Sequence, residues 1–210
     1  MTLLERRRAL MSQNKSSGIL PRGYRQVEYI ESTGTQWLDT EFIPNGDTRV
    51  EADFQLTKVK ASFIFGSRVG STTRTYTFNV SSSGDFVSGY NDRANAVIAK
   101  ADTERHIVDK RHRTTWFDGV YCGQYEKATF ECPNSLEIFA CYNNGTKGYL
   151  PAEMKLYSCK IYTGVIDGIL ERDFIPCYRK ADRVAGLYDI VNDKFYTNQG
   201  TGEFLIGGEI

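Results

Sequence analysis

The sequence predicts an all-β fold of two packed antiparallel sheets behind a short N-terminal helix. Three observations predict it. Apolar and polar residues alternate along many short runs after residue 26, turn signals separate these runs, and no apolar pattern of helical length follows residue 20. Alternation with period two places one face of a strand on a core and the other in water. Many such runs at short spacing are typical of a sandwich.

A short helix is predicted over residues 2–13. Thr2 and Glu5 have the spacing of a capping box, in which two side chains satisfy free N–H groups at a helix start. Apolar side chains recur at helical spacing along one stripe that Arg7 interrupts. A helix of about a dozen residues is marginal alone in water, so it needs a surface. We therefore expect residues 1–19 to be an arm and linker for attachment or oligomerisation, with these contact residues: Leu3, Leu4, Arg7, Leu10 and Met11.

The strand pattern is clearest in Arg49–Leu56, where every second residue is apolar and one face is polar. Similar runs follow along the chain: Ala61–Phe65, Arg74–Val80, Asp85–Tyr90, Ala94–Ala99, Arg113–Phe117, Leu136–Cys141, Met154–Tyr162 and Phe174–Tyr178. Turn signals separate many of them: Pro44-Asn45-Gly46, Ser83-Gly84, Asp118-Gly119, Asn143-Asn144-Gly145 and Asp167-Gly168. Residues 20–210 are therefore predicted to form one domain.

Composition and charge narrow the class of protein. The 210 residues are 40% hydrophobic and 25% charged, which suits a globular domain with a full core. The net charge is zero, whereas a nucleic-acid-binding protein normally carries a basic excess. Six of the 26 basic residues and one acidic residue fall within residues 1–25. The arm is therefore basic and the body acidic, which favours either attraction between arm and body or an acidic partner for the arm.

The sequence also predicts where the chain is made. Its first residues lack the apolar stretch of a secretory signal, and no apolar run approaches the length of a membrane span. Five cysteines, an odd number, favour free thiols in a reducing cytoplasm. A disulfide between Cys132 and Cys141 remains an alternative if they lie on facing strands.

Motifs near both ends resemble a known family. The opening motifs are Leu20–Tyr24, Val27–Gln36 and Asp39-Thr40, and the closing ones are Tyr157–Tyr162, Arg172–Lys180, Gly186–Asp189 and Lys194–Asn198. The Asp118-Gly119 turn is similar to the aspartate-glycine hairpin of laminin-G-like domains. Over about residues 20–205, the chain resembles the laminin-G-like, concanavalin A-like jelly-roll domains of phage and prophage structural proteins of gut bacteria.

The resemblance implies a non-catalytic, virion-associated binding module. It would be a fibre, tail or capsid-decoration protein, made in the bacterial cytoplasm, whose jelly roll adheres to host-surface glycans. The arm would join other virion proteins, and a homo-oligomer is expected. A purely structural decoration protein without a ligand is the alternative, because a fold does not fix a function.

Glycan binding requires an aromatic face for the apolar side of a sugar ring and fixed polar groups for its hydroxyls. The residue types of loops and rims select six positions, each of which has a core or turn position as its alternative. The six are Trp37, Arg68, Tyr90, Asn91, Trp116 and Asp118.

A glycoside hydrolase is the third alternative. Retaining β-glucanases of similar fold carry three alternating acids on one strand, and two carboxylates must flank the scissile bond. Here Glu51 and Asp53 alternate, but Gln55 occupies the third position and cannot deliver a proton as a general acid. We therefore expect no enzyme, and interpret these residues as the solvated face of a strand.

No metal or cofactor is predicted from the spacing of ligand residues. His106 and His112 have no zinc-site spacing and are interpreted as surface histidines. Loops of laminin-G-like domains offer oxygen ligands for calcium (Ca2+). Asp92, Asp118 and Asn143 would be the donors here, although no spacing marks them.

Overall fold

The computed structural model describes residues 19–70, 72–164 and 168–210, without the side chains of residues 94 and 95. In these ranges the chain forms nineteen strands, numbered along the sequence, and no helix. Sheet 1 contains β1 (Tyr24–Gln26), β2 (Ile30–Thr33), β4 (Arg49–Leu56), β9 (Arg105–Arg111), β10 (Thr114–Phe117), β11 (Val120–Gln124), β15 (Glu153–Thr163), β16 (Ile169–Arg179), β17 (Ala185–Asp189), β18 (Lys194–Thr197) and β19 (Leu205–Ile206). Sheet 2 contains β3 (Leu38–Asp39), β5 (Ser62–Arg68), β6 (Thr75–Val80), β7 (Asp85–Asn91), β8 (Arg93–Lys100), β12 (Glu137–Ile138), β13 (Cys141–Asn143) and β14 (Thr146–Tyr149).

The strands follow a simple order in each sheet. Sheet 1 runs β11-β10-β9-β4-β15-β16-β17-β18, and sheet 2 runs β14-β13-β5-β6-β7-β8. Strand β13 pairs with β5 in parallel, and the other strand pairings are antiparallel. The predicted run Leu136–Cys141 is divided into β12 and β13, because the chain turns at Phe139 with a φ of 69°. Both pieces pair with the same edge of β5.

The core lies between the two sheets. The ring centroid of Phe54 in sheet 1 is 6.1 Å from that of Phe78 and 5.7 Å from that of Phe86, both in sheet 2. Strand β4 buries every second residue, as its alternation predicts. Each fully buried aromatic or aliphatic side chain of this kind contributes about 1.5–3 kcal/mol. The predicted all-β, two-sheet sandwich, the architecture of a jelly roll, is therefore confirmed.

Two polar residues of β9 point into this core. Lys110 is fully buried, and its Nζ donates a 2.8 Å hydrogen bond to Ser88 Oγ and lies 4.8 Å from the ring centroid of Tyr76. Burial lowers the pKa of Lys110 to about 7, since no carboxylate of the described residues pairs with it. A lysine this deep is rare without a partner.

His106 is the second inward residue of β9, and the prediction of a surface histidine is wrong for it. Its side chain is 12% exposed, and its ring centroid lies 4.7 Å from that of Phe117. Nδ1 lies 2.7 Å from an Asp118 carboxylate oxygen and Nε2 lies 2.8 Å from one of Asp102. Burial opposes the charged imidazolium, but these two hydrogen bonds outweigh burial and raise the pKa of His106.

The beginning and the end of the described chain meet on sheet 1. Val27 forms an isolated bridge with Glu209, and Glu28 N donates a 2.8 Å hydrogen bond to Gly208 O. Strand β19 pairs with β2, and β1 pairs with β16. Both ends are therefore held by backbone hydrogen bonds to the same sheet.

Several predictions concern thiols and the N-terminal arm. All five cysteines are free, so Cys132 and Cys141 do not form the alternative disulfide. The predicted helix over residues 2–13 and its contact residues lie outside the described residues. Within residues 19–70, 72–164 and 168–210, no helix is long and apolar enough to cross a membrane.

Candidate functional site

The outer face of sheet 2 is polar, and it brings together three of the six predicted glycan-binding residues. Tyr76 and Phe78 point into the core, so the alternating residues Thr75 and Thr77 point to the outer face. The strand register then places whole rows of outer residues side by side.

The first row crosses four strands. Asn143 of β13 is the register partner of Arg68 of β5, and Thr75 of β6 is the partner of Asn91 of β7. Ser67 pairs with Tyr76, which places Arg68 beside Thr75. Neighbouring strands are about 4.8 Å apart, so the row spans about 14 Å. Arg68 and Asn91 were predicted as glycan-binding residues, and Asn143 only as a calcium donor.

The second row contains two glycines. It joins residues in register across five strands: Asp39, Glu137, Gly66, Thr77 and Gly89. A Cβ at Gly66 would lie 2.9 Å from Cys141 Sγ and 2.9 Å from Thr77 Cγ2, and one at Gly89 would lie 2.5 Å from Thr77 Oγ1. Only glycine fits at these two places, because the side chains of Cys141 and Thr77 occupy the space above them.

The floor of this face is recessed. Thr75 is 0% and Thr77 is 1% exposed, although both point away from the core. Neighbouring groups must therefore rise above them. Thr75 Oγ1 donates a 2.6 Å hydrogen bond to Gly70 O in the turn after β5. Half-buried side chains form the rim: Trp37, Asp39, Arg68, Asn91, Asn143 and Tyr149.

Arg68 is the positively charged residue of the first row. Its guanidinium carbon lies 4.8 Å from the ring centroid of Phe63 and 5.8 Å from that of Tyr149. Nε donates a 2.8 Å hydrogen bond to Asn143 Oδ1. Within the described part of the chain, its two Nη groups make no hydrogen bond. Arg68 is thus held in place by one edge and can donate to a ligand from the other.

Trp37 lies at the β3 end of the face. A Cβ at Gly148 would lie 2.5 Å from its Nε1, and one at Gly200 would lie 3.0 Å from its Cδ1. The indole therefore fits between the β13–β14 hairpin and the loop after β18. Trp37 N also donates a 3.1 Å hydrogen bond to Asn198 Oδ1. This packing fixes the orientation of a half-buried aromatic side chain at the rim.

Two acidic residues, Asp39 of β3 and Glu137 of β12, are register partners at the β3 side of the face. Asp39 accepts hydrogen bonds from Glu41 N at 3.0 Å, from Lys147 Nζ at 3.3 Å and from Ser135 Oγ. Glu137, 1% exposed, accepts a 2.9 Å hydrogen bond from Gly148 N. Burial, and to a lesser extent the charge of Asp39, raises the pKa of Glu137 to about 7, against the lowering effect of the Gly148 hydrogen bond.

The other three predicted glycan-binding residues lie elsewhere. Tyr90 is buried in the core, where its one hydroxyl proton is shared between Gly46 O and Ala128 O, at 3.0 and 3.1 Å from the hydroxyl oxygen. Trp116 lies on the outer face of sheet 1, 5.5 Å from Tyr121 between ring centroids. Asp118 is in the β10–β11 turn, bound to His106. These three do not join one another or the face of sheet 2.

The acids considered for hydrolysis lie on the outer face of sheet 1. Asp53 receives two 2.8 Å hydrogen bonds from the guanidinium of Arg105. Glu51 receives one from Arg49, also at 2.8 Å. Gln55 accepts a 2.9 Å hydrogen bond from Tyr157. Both carboxylates are therefore already engaged by arginine side chains on the outer face of this sheet.

A metal centre finds no support among the groups that the structure describes. No cluster of three or more histidine, cysteine, aspartate or glutamate side chains could hold a metal ion there. The three residues considered for calcium lie in different turns or strand ends: Asp92 after β7, Asp118 after β10 and Asn143 at the end of β13.

A separate surface cleft of about 290 Å³ lies beside the loop after β18. Two of its polar side chains are already engaged. Asn198 binds Trp37 N, Gly200 N and Gly202 O, and Arg179 forms a two-pronged ion pair with Asp182. The outer face of sheet 2 is therefore the better candidate site.

Comparison with known proteins does not identify a function for this site. The sequence matches no protein-family model and no curated protein. Two solved structures of the CBM40 of the Ruminococcus gnavus IT-sialidase are similar. The one bound to α2,3-sialyllactose shares 10% identity with a TM-score of 0.49, over 68% of this chain and 92% of that chain. The other shares 11% with a TM-score of 0.48, over 68% and 93%. Both scores are below 0.5, so neither likeness carries an argument about function.

Five rim or floor residues of this face were not predicted from the sequence: Asp39, Thr75, Thr77, Glu137 and Tyr149. A usable signal was present. Gly66 and Gly89 interrupt runs that otherwise read as strands, and an interior strand glycine often marks a close approach of another group. These two glycines lie in the row that contains Glu137 and Thr77, next to the row that contains Arg68 and Asn91.

Proposed function

We propose that this domain is a non-catalytic glycan-binding module and that its ligand lies on the outer face of sheet 2. The observation that carries the proposal is the row in which Asn143, Arg68 and Asn91 present half-buried polar side chains on either side of the buried Thr75. A rigid sheet holds these polar groups at fixed spacing, which suits the hydroxyls of a sugar.

The chemistry of the rim supports the same class of ligand. Asparagine amides both donate and accept hydrogen bonds, and a guanidinium edge donates two in parallel. Trp37 and Tyr149 supply aromatic surface for the apolar side of a sugar ring. Because the candidate ligand contacts are a few half-buried side chains on a sheet surface, each site is expected to bind weakly, and several copies displayed together should bind much more tightly.

A glycan array tests the proposal. The probe is the chain displayed on a tetravalent carrier, and the decisive variant is Arg68→Ala. Arg105→Ala is the matched control, since Arg105 also stacks on an aromatic ring, that of Tyr157 at 3.6 Å, but on sheet 1. We expect Arg68→Ala to reduce the array signal at least tenfold and Arg105→Ala to leave it unchanged. No binding by the tetravalent wild type would favour the structural alternative, and equal loss in both variants would place the site elsewhere.

We propose in addition that residues 1–19 attach the domain to a virion or to copies of itself. The support is the basic, partly apolar character of these residues and the resemblance to phage structural proteins. Deleting residues 2–17 should abolish particle attachment or reduce the mass of the assembly in solution. Unchanged behaviour in both measurements would refute this assignment.

A further inference from the structure

Glu137 occupies an unusual place in the proposed site. It lies on the outer face of sheet 2 yet is 1% exposed, between Asp39 of β3 and Gly66 of β5. A carboxylate in such a place normally serves a specific contact, because burying its charge is costly. The contact here is the 2.9 Å hydrogen bond from Gly148 N.

That hydrogen bond holds one side of the β13–β14 hairpin. Gly148 has a φ of 63°, and a Cβ there would overlap the Trp37 indole at 2.5 Å. The backbone of Gly148 is therefore fixed between the carboxylate of Glu137 and the ring of Trp37. The same hairpin carries Asn143 and Tyr149, so its position determines the rim of the site.

Charged and titratable groups approach Glu137 from each packed element. Asp39 on β3 disfavours a second negative charge, whereas Lys147 on β14 favours it. The thiol of Cys141 on β13 is buried, and its pKa lies well above its usual range, so it stays neutral. Burial is the main cause that raises the pKa of Glu137 to about 7, and the charges of Asp39 and Lys147 oppose each other, so both protonation states are populated near neutral pH.

We propose that Glu137 is a positioning residue whose protonation controls glycan binding: ionised, it holds Gly148 firmly against Trp37, and protonated, it holds the hairpin less tightly and weakens the site. An ionised acceptor makes the stronger hydrogen bond with a backbone N–H. A ligand that needs the ordered hairpin then favours the ionised form, so affinity falls as pH decreases. This inference rests on the proposed function only for the ligand, because the movement of the hairpin is measurable without one.

Trp37 reports the hairpin directly. The chain has two tryptophans, so the Trp116→Phe variant leaves Trp37 as the one tryptophan, which can be excited selectively over the tyrosines. In that background we expect its fluorescence to titrate with a midpoint of about 7. Glu137→Gln should abolish the titration, since glutamine still accepts the Gly148 hydrogen bond but does not ionise. Glu51→Gln on sheet 1 is the matched control and should titrate as the parent does.

A second variant keeps the test decisive if Glu137→Gln folds poorly. Asp39→Asn removes the charge that disfavours ionised Glu137, so the midpoint of the Trp37 fluorescence titration should move to lower pH. Emission that does not change with pH, or a titration that persists in Glu137→Gln, overturns the proposal.

The second measurement uses the oligosaccharide with the highest array signal. Its affinity for the wild type should fall about fivefold from pH 8 to pH 6, and Glu137→Gln should show no such change. Equal affinity at both pH values would refute the claim that Glu137 protonation controls glycan binding, even if the fluorescence of Trp37 changes with pH. Absence of any array signal would instead refute the proposed function, while the fluorescence titration would still decide the role of Glu137.

Discussion

Replacing Lys110 by methionine should stabilise the protein at neutral pH. The ammonium group lies in the core with one hydrogen bond, to Ser88, and no paired carboxylate within the described residues. Methionine has a similar length and no charge, so it fills the same space without a desolvation cost. The hydroxyl of Ser88 keeps its contact with Thr115 Oγ1 at 3.0 Å after the replacement.

The magnitude follows from the lowered pKa of Lys110, about 7 in the folded protein against 10.5 ordinarily. Between these values the unfolded chain binds more protons than the folded one, so the free energy of unfolding rises with pH from about 7 to about 10. At about 1.4 kcal/mol for each pH unit, the cost of the buried amine at pH 7 is on the order of 4 kcal/mol. Lys110→Met also loses the hydrogen bond to Ser88, which reduces the expected gain in stability by about 1 kcal/mol. The net expected gain at pH 7 is roughly 3 kcal/mol.

Urea unfolding of the wild type and Lys110→Met at several pH values between 6 and 10, under reducing conditions, measures this gain. We expect the variant to be more stable near pH 7 and the difference to shrink towards pH 10. Lys58→Met is the control, because Lys58 is 63% exposed and should change stability by less than about 0.5 kcal/mol. A variant less stable than the wild type at pH 7, or one with the same dependence on pH, would refute the reasoning.

Two further predictions concern the ion pairs of His106 and the backbone of Gly148. The raised pKa of His106 means that its ion pairs stabilise the fold below about pH 6.5 and that this contribution is lost as pH rises through the folded-state pKa. His106→Gln should therefore lose about 1–2 kcal/mol more at pH 5.5 than at pH 9, and a constant loss in urea unfolding would contradict this. Gly148→Ala should lower the unfolding free energy by about 1–3 kcal/mol, through overlap with Trp37 and an unfavourable φ. Gly23→Ala is its control, since nothing lies within 4 Å of that Cβ, and equal thermal shifts would count against the argument.

The sequence predicts the strands best where one face is apolar throughout. Strand β4 matches its predicted bounds at both ends, because the inward residues of Arg49–Leu56 are all hydrophobic. Strand β9 gave no comparable signal, since His106 and Lys110 occupy two of its three inward positions beside Val108. Polar residues that are buried through specific partners cannot be recognised from period-two patterns, because the partners come from distant segments.

The candidate site shows the same limit. Arg68 and Asn91 were predicted by residue type, but their common row depends on the pairing of β5, β6 and β7. Asn143 joins them only because β13 pairs in parallel with β5 after the turn at Phe139. Trp116 had the same residue type as Trp37 and lies on the other sheet. Residue type identifies candidate binding residues, but the pairing of strands determines which of these residues lie side by side.

The backbone bridge between Val27 and Glu209 has a geometric consequence. Strand β1 near one end of the described chain and β19 near the other both pair into sheet 1, whereas Arg68 and Asn143 lie on the outer face of sheet 2. A carrier joined at either end would therefore be attached next to sheet 1 and not to the sheet that holds the candidate site. Copies arrayed on one scaffold would then share an orientation, and their spacing would determine how many sugars one array engages at once.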